Sequence, residues 1–316
     1  MAQVIAGGQV RVRVPGSSAN LGPGYDAVGL ALGYYDEVQV TVLDSGNGSS
    51  RPGAEVLVES GHRDEIPCDE TNLVVRSLRA AWSRLGVRQP VIRLHARPGV
   101  PFGRGIGSSA AAVVSGVVSA RELLTDPGRL DGDTALTVAS DIEGHPDNVA
   151  ASLFGGMTLG WSGPGGTRCV RIEPHPELRA VVAVPAFQSA TAKARAMLPA
   201  TVPHADAAFT AGRAALLVEA MTRRPDLLLP ATADRLHQAY RAAAMPSAAE
   251  LVERLRGQGY AAVVSGAGPS VLVLGTADEL SGNSIAQLAG PQWQVADPGI
   301  DRDGATVLGQ PSATDV

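Results

Sequence analysis

Residues Pro101 to Ala110 read Pro-Phe-Gly-Arg-Gly-Ile-Gly-Ser-Ser-Ala, and this run constrains the chain more than any other. Gly103, Gly105 and Gly107 alternate just ahead of a helical pattern in which Ala110, Val113, Val114, Val117 and Val118 recur on one stripe. Glycines let backbone N–H groups approach an anion, and a helix start adds unpaired N–H groups and a favourable dipole. The pattern predicts a phosphate cradle; a glycine loop with a serine N-cap is the plain alternative. Residue type excludes other phosphate loops. Lys193 is the single lysine, so no P-loop lysine follows a glycine run and no protein-kinase strand lysine precedes one. Gly105 to Ala110 fits G-x-G-x-x-A, but a loop with Pro98 and Pro101 separates it from the preceding strand, where a dinucleotide-binding turn follows directly.

Around this run, strand and helix patterns alternate. Val10 to Val14, Glu37 to Leu43, Val91 to Leu94, Met157 to Trp161, Ala180 to Val184, Ala261 to Ser265 and Val271 to Leu274 read as strands. Asn72 to Leu85, Asp133 to Glu143 with Asp133 as cap, Asp206 to Thr222, Ala231 to Ala243 and Ser247 to Arg256 read as helices. The class is therefore α/β or α+β. A chain of 316 residues suggests two domains, and Ser162 to Gly166 is the best boundary, giving 1–165 with the glycine loop and 166–316. Apolar residues at 45% against 18% charged supply a core, and a net charge of -5 argues against a nucleic-acid partner. Cys68 and Cys169 are too few and too far apart for a zinc cluster and read as reduced thiols. No basic leader opens the sequence, and the longest uncharged stretch, Gly105 to Ala120, is rich in Ser and Gly. A soluble cytoplasmic chain without a membrane partner is expected.

Three further runs carry polar groups. Val14 to Asp26 leads a strand into a Gly- and Pro-rich loop with Asn20 and Asp26, which alone reads as a tight turn. Glu143 to Gly156 sets Glu143, His145, Asp147 and Asn148 close together. These groups suit a polar substrate or a hard cation such as magnesium better than zinc, or form an exposed acidic turn. Ser265 to Ser270, SGAGPS, lies between two strands as a hairpin turn able to approach a phosphate or brace another loop.

These four runs, in this order, resemble the GHMP small-molecule kinases, whose ATP loop has the form P-x-x-x-G-x-G-S-S-A. Ser17 to Asp26, with no basic residue after Pro15-Gly16, and Glu143 to Asn148 are similar to the homoserine kinase form. Gly16-Ser17, Tyr25 and Ser270 replace the Ala-Thr, Phe and Thr that this form more often carries. The resemblance implies a two-domain α+β fold, with a ribosomal-protein-like N-terminal domain, a ferredoxin-like C-terminal domain and the site in the cleft between them. It implies phosphoryl transfer from ATP to L-homoserine, giving O-phospho-L-homoserine for threonine synthesis, with another hydroxylated amino acid or small alcohol as the alternative acceptor. A homodimer is compatible with it.

Residue roles follow from the same resemblance. Asn72 approaches the adenine, and Pro101, Phe102, Gly103, Arg104, Gly105, Ile106, Gly107, Ser108, Ser109, Ala110 and Ala111 surround the phosphates. Ser109 (or Ser108) and Glu143 hold Mg²⁺. Asn20, Asp26, His145, Asp147, Asn148, Arg195 and Arg241 line the acceptor pocket, with Asp26 for the ammonium and the two arginines for the carboxylate. Asn20, Asp26, Asn148 and Arg195 lie nearest the reaction. No dedicated Asp–Lys base is expected, because this first motif has no lysine and Asn148 is an amide.

Overall fold

The computed structural model describes residues 2–43, 53–59, 65–187, 195–280 and 282–309. Its spine is a long antiparallel pair, β1 (Gln9–Asn20) and β2 (Gly24–Val42). Val10, Val12 and Val14 point into the core and the intervening arginines do not, as the period-2 pattern requires. Pro15 and Gly16, which in the sequence read as a strand end, sit instead at a register shift between the two strands. A bulge tolerates proline within a ladder, so β1 continues to Asn20 and carries most of the first polar run as strand.

Five more strands complete this sheet among the described residues: β3 (Ala54–Val58), β4 (Ile92–Arg97), β5 (Met157–Gly163), β6 (Gly166–Ile172) and β11 (Thr306–Leu308). The order is β11-β1-β2-β4-β3, with β5 also on β2 and β6 on β5. Four helices cover it: α1 (Leu73–Arg84), α2 (Ser108–Glu122), α3 (Gly132–Glu143) and α4 (Asp147–Phe154). A second sheet, ordered β10-β7-β9-β8, joins β7 (Leu178–Pro185), β8 (Ala261–Val264), β9 (Val271–Thr276) and β10 (Trp293–Ala296). Helices His204–Thr222, Pro246–Gly257 and Gly282–Ala289 accompany it. Pairing is antiparallel except between β3 and β4, so the class is α+β.

Several details depart from the sequence reading. The boundary expected at 165/166 falls in the β5–β6 hairpin turn, and the first sheet runs on to Ile172 and later takes back β11. Asp131, not Asp133, caps α3, its Oδ1 accepting the Thr134 N–H at 2.8 Å. The helix expected over 231–243 is broken into short turns, Leu228–Ala231, Gln238–Arg241 and Ala242–Ala244. Asp234 breaks it: its carboxylate accepts the backbone N–H groups of Leu236, His237 and Gln238. Helix α2 is buried all round, with Ala110, Val113, Val114, Val117 and Val118 at most 1% exposed. Each valine buried this way contributes roughly 1.5–3 kcal/mol, which makes α2 a rigid mount for the loop before it. Among the described residues no helix is long and apolar enough to cross a membrane.

Candidate active site

The loop ahead of α2 is built on left-handed backbone. Gly103, Gly105 and Gly107 have φ of 65°, 75° and 70°, which L side chains rarely adopt. A Cβ on Gly105 would lie 2.5 Å from the Ser265 carbonyl oxygen and 2.6 Å from that of Gly268. One on Gly107 would lie 2.8 Å from the Ser17 backbone nitrogen. These two glycines therefore admit the chain's own backbone, where the sequence suggested a close approach of ATP. Ser265 Oγ donates to the Gly105 carbonyl at 2.6 Å and pairs with Ser18 Oγ at 2.8 Å. The SGAGPS turn thus braces the loop, the second of its two expected uses. Arg104 donates to the Pro185 and Ala186 carbonyls at 3.0 and 2.9 Å, fastening the loop to the end of β7.

At the start of α2, Ser109 Oγ donates to Glu143 Oε2 at 2.7 Å across the gap to the end of α3. Burial pushes the Glu143 carboxyl above the usual range, and Ser109 and His145 only partly counter it. A hydroxyl and a desolvated carboxylate beside the glycine loop form an oxygen donor set that would suit Mg²⁺.

Beyond Glu143 the chain turns into α4. His145 Nδ1 lies 2.7 Å from Asp147 Oδ1, and Asp147 is 1% exposed. That hydrogen bond raises the His145 pKa against the opposing effect of burial. Asn148 Oδ1 accepts from Ser17 Oγ at 3.1 Å, tying α4 to β1.

Around the turn that joins β1 to β2, Asn20 at the end of β1, Leu21 in the turn and Asp26 near the start of β2 have φ of 70°, 46° and 54°. Such non-glycine conformations carry strain and cluster at functional sites. Asn20 keeps the turn in place: its Oδ1 accepts the Asp26 N–H at 2.9 Å and its Nδ2 donates to the Gly266 carbonyl at 3.0 Å. Asp26 receives two hydrogen bonds from Arg195, at 3.0 and 2.7 Å, a fork geometry suited to carboxylates. The two residues therefore pair with each other, where the sequence suggested Asp26 for the ammonium and Arg195 for the carboxylate of a substrate. Arg241 is buried, donates to Tyr25 Oη at 3.2 Å and lies over the Tyr25 ring. It is not the solvated residue that a lone arginine in an amphipathic pattern usually is.

All of these groups line one polar cleft of 170 Å³: Asn20, Asp26, Glu143, His145, Asp147, Asn148, Arg195 and Arg241 with Gly103, Gly105, Gly107, Ser108 and Ser109. A mainly apolar cavity of 300 Å³ adjoins it, and Phe102, Ser108 and Ser109 line both. The loop thus stands between a pocket fit for a flat apolar group and a cleft fit for charge.

Two family models match the chain, GHMP kinases N terminal domain over residues 72–156 and GHMP kinases C terminal over residues 207–286. The homoserine kinase of Streptomyces coelicolor is 51% identical over 307 residues, 97% of this chain and 96% of its own. The chain belongs to the GHMP kinases, among the homoserine kinases. That of Leifsonia xyli is 47% identical over 96% of this chain and 93% of its own. The homoserine kinase crystal structure from Cytophaga hutchinsonii superposes with a TM-score of 0.81 at 25% identity, covering 95% of this chain and 97% of that one. A mevalonate diphosphate decarboxylase from Staphylococcus aureus shares the fold, with a TM-score of 0.65 at 15% identity over 98% of this chain and 99% of that one.

Within this GHMP kinase, some expected site residues lie away from the cleft. Ile106, Ala110 and Ala111 are fully buried and anchor the loop. Pro101 and Arg104 line another cavity, on the side facing β7 and β10. Asn72 lines the apolar cavity, but its amide is engaged: Oδ1 caps α1 at Val74 N, 3.0 Å, and Nδ2 donates to the Pro67 carbonyl at 2.8 Å. It shapes that wall with one amide hydrogen and one oxygen lone pair already committed to its own segment. Ser17, Tyr25, Asp234 and His237 were not legible as site residues. The Asp234, His237, Arg241 spacing was the available signal, since i+3 and i+4 steps share a helix face.

Proposed function

We propose that this chain transfers the γ-phosphoryl group of ATP to the side-chain hydroxyl of L-homoserine. One observation carries the assignment: the polar cleft behind the glycine loop sets the Asp26 carboxylate with two guanidinium groups, Arg195 and Arg241, while Glu143 and Asp147 lie on the same wall as His145. An α-amino acid presents one ammonium and one carboxylate on the same carbon, which is the complement of that set. The adjoining apolar cavity, walled by Leu73, Val74 and Val100, suits the adenine. The loop between them then receives the phosphates on its backbone N–H groups and the dipole of α2.

Phosphoryl transfer needs positioning and neutralisation of charge more than covalent help. Ser109 and Glu143 would hold Mg²⁺, which neutralises phosphate charge when bound. Arg241 and Arg195 would fix the acceptor carboxylate, and Asp26 the ammonium, so that the hydroxyl faces the loop. His145, held by Asp147, adds a polar wall to the cleft. Asp26 is shared with Arg195 and Asp147 with His145, so neither carboxylate is a free base. The hydroxyl proton then passes to phosphate oxygen or water. The enzyme works in the cytoplasm, the compartment that suits ATP and the exposed free thiol of Cys68.

An acceptor panel scored by ADP release tests the assignment. Homoserine should support turnover at least about tenfold better in kcat/KM than threonine or 3-aminopropan-1-ol, a difference of about 1.4 kcal/mol. Equal rates with 3-aminopropan-1-ol, which lacks the carboxylate, would remove the role given to the arginines.

A further inference from the structure

Arg241 is 3% exposed, yet its hydrogen-bond partners are all neutral. Nη1 faces the Gly266 carbonyl at 3.3 Å and His237 Nδ1 at 3.5 Å, Nη2 donates to Tyr25 Oη at 3.2 Å, and buried Nε has no partner among the described residues. Among the described residues no carboxylate stands within ion-pair distance of it. A buried guanidinium without an anion is costly, so this cation is poised for a charge that a ligand brings into the cleft.

His237 decides how that cation is held. The residue is 0% exposed and sits beneath the β1–β2 turn, with its ring 5.0 Å from that of Tyr25. Its Nε2 is 2.7 Å from the Gly22 carbonyl oxygen, which can only accept, so Nε2 carries the hydrogen. Burial lowers the His237 pKa and keeps the imidazole neutral. Nδ1 is therefore a bare lone pair, and it is this atom that faces Arg241 Nη1. The nearest acid, Asp234, is 3.7 Å from Nε2 and is committed to backbone N–H groups.

We propose that His237 is the positioning residue of the acceptor pocket: anchored by Nε2–H on Gly22, it turns its Nδ1 lone pair on Arg241 and aims that guanidinium at the carboxylate of the amino-acid substrate. This rests on the carboxylate clamp proposed above. His237 touches no substrate; it ties the strained turn between Asn20 and Asp26 to the arginine from the second half of the chain. The acceptor pocket is thereby set from one buried ring.

Two substitutions separate the two ring nitrogens. His237→Gln keeps an amide N–H that reaches Gly22 but offers Arg241 no acceptor, whereas His237→Asn places an amide oxygen where Nδ1 stood. Steady-state kinetics should show a homoserine KM raised about fivefold in His237→Gln, close to one net hydrogen bond, with the ATP KM within about twofold. In an Arg241→Leu background the same substitution should add nothing further, because the residue acts through Arg241. His237→Asn should stay within about threefold of the wild-type homoserine KM and, where His237→Gln does not fold, a tenfold rise in the Asn variant overturns the inference. Arg241→Leu with a wild-type homoserine KM overturns the clamp itself. A raised KM in Arg241→Leu, with His237→Gln unchanged or fully additive, leaves the clamp standing and overturns the role of His237.

Discussion

Glu143 and His145 stand two residues apart at one helix end, and the same environment moves both protons. Burial raises the Glu143 carboxyl, and the hydrogen bond from Ser109 and the charge of His145 only partly offset the desolvation. Glu143→Gln should therefore leave the apparent melting temperature unchanged or higher without magnesium. Its turnover should fall by on the order of a hundredfold, with the magnesium titration displaced to higher concentration. An unchanged magnesium titration would make Glu143 an ordinary helix-end acid. For His145 the hydrogen bond to Asp147 raises the pKa, so the folded chain holds this proton more tightly than the unfolded one. The stabilisation is complete below the unfolded-state value of about 6.5 and is lost as pH rises through the folded-state value. Asp147→Asn should lower the His145 midpoint in an NMR titration, and its stability deficit should shrink from about pH 5.5 to pH 8.5. A deficit that grows with pH would contradict the pairing.

The glycine loop and α2 behave as one element, because the loop's left-handed glycines and the buried valines of α2 fix each other. Gly107→Ala places a Cβ against the Ser17 backbone at a φ of 70°. Left-handed alanine alone costs roughly 1–2 kcal/mol, and the backbone contact adds to it. Chemical denaturation should show at least about 2 kcal/mol lost, with ATP binding weakened in parallel; full stability with weakened ATP binding would mean that the glycine serves the ligand alone. Elements of this kind were legible where pattern and packing agree. The period of Val10 to Val14 gave a half-buried strand, and the α2 stripe gave a helix. The continuation of β1 past Pro15-Gly16 was not legible, because a bulge depends on the partner strand and leaves a breaker signature in the chain. Nor was the break at Asp234 within 231–243, where the alanines and Leu236 suggest helix but a buried carboxylate captures three N–H groups.

At the scale of the whole molecule, two sheets meet around a cleft that takes residues from distant parts of the chain. Asn20 and Asp26 come from the end of β1 and the start of β2, Glu143 to Asn148 from the α3–α4 junction, and Arg195 and Arg241 from the second half. Most of these polar groups were legible as candidates, because their residue types and order match a known motif set. Their partners were not. Asp26 on Arg195, the amide of Asn20 spent on two backbones and Arg241 resting on His237 are all tertiary contacts between remote segments. No local spacing encodes them, apart from the short step from His237 to Arg241. Together they hold a preformed pocket in which Asp26, Glu143 and Asp147 share the wall with two guanidinium groups beside the glycine loop. The most direct test follows ADP and phosphorylated product together, with purified chain, ATP, magnesium and L-homoserine. ADP should appear only when homoserine is present, one for one with O-phosphohomoserine in the phosphorus NMR spectrum. ADP release that is indifferent to homoserine, or product phosphorylated elsewhere than on the side-chain oxygen, would contradict the account.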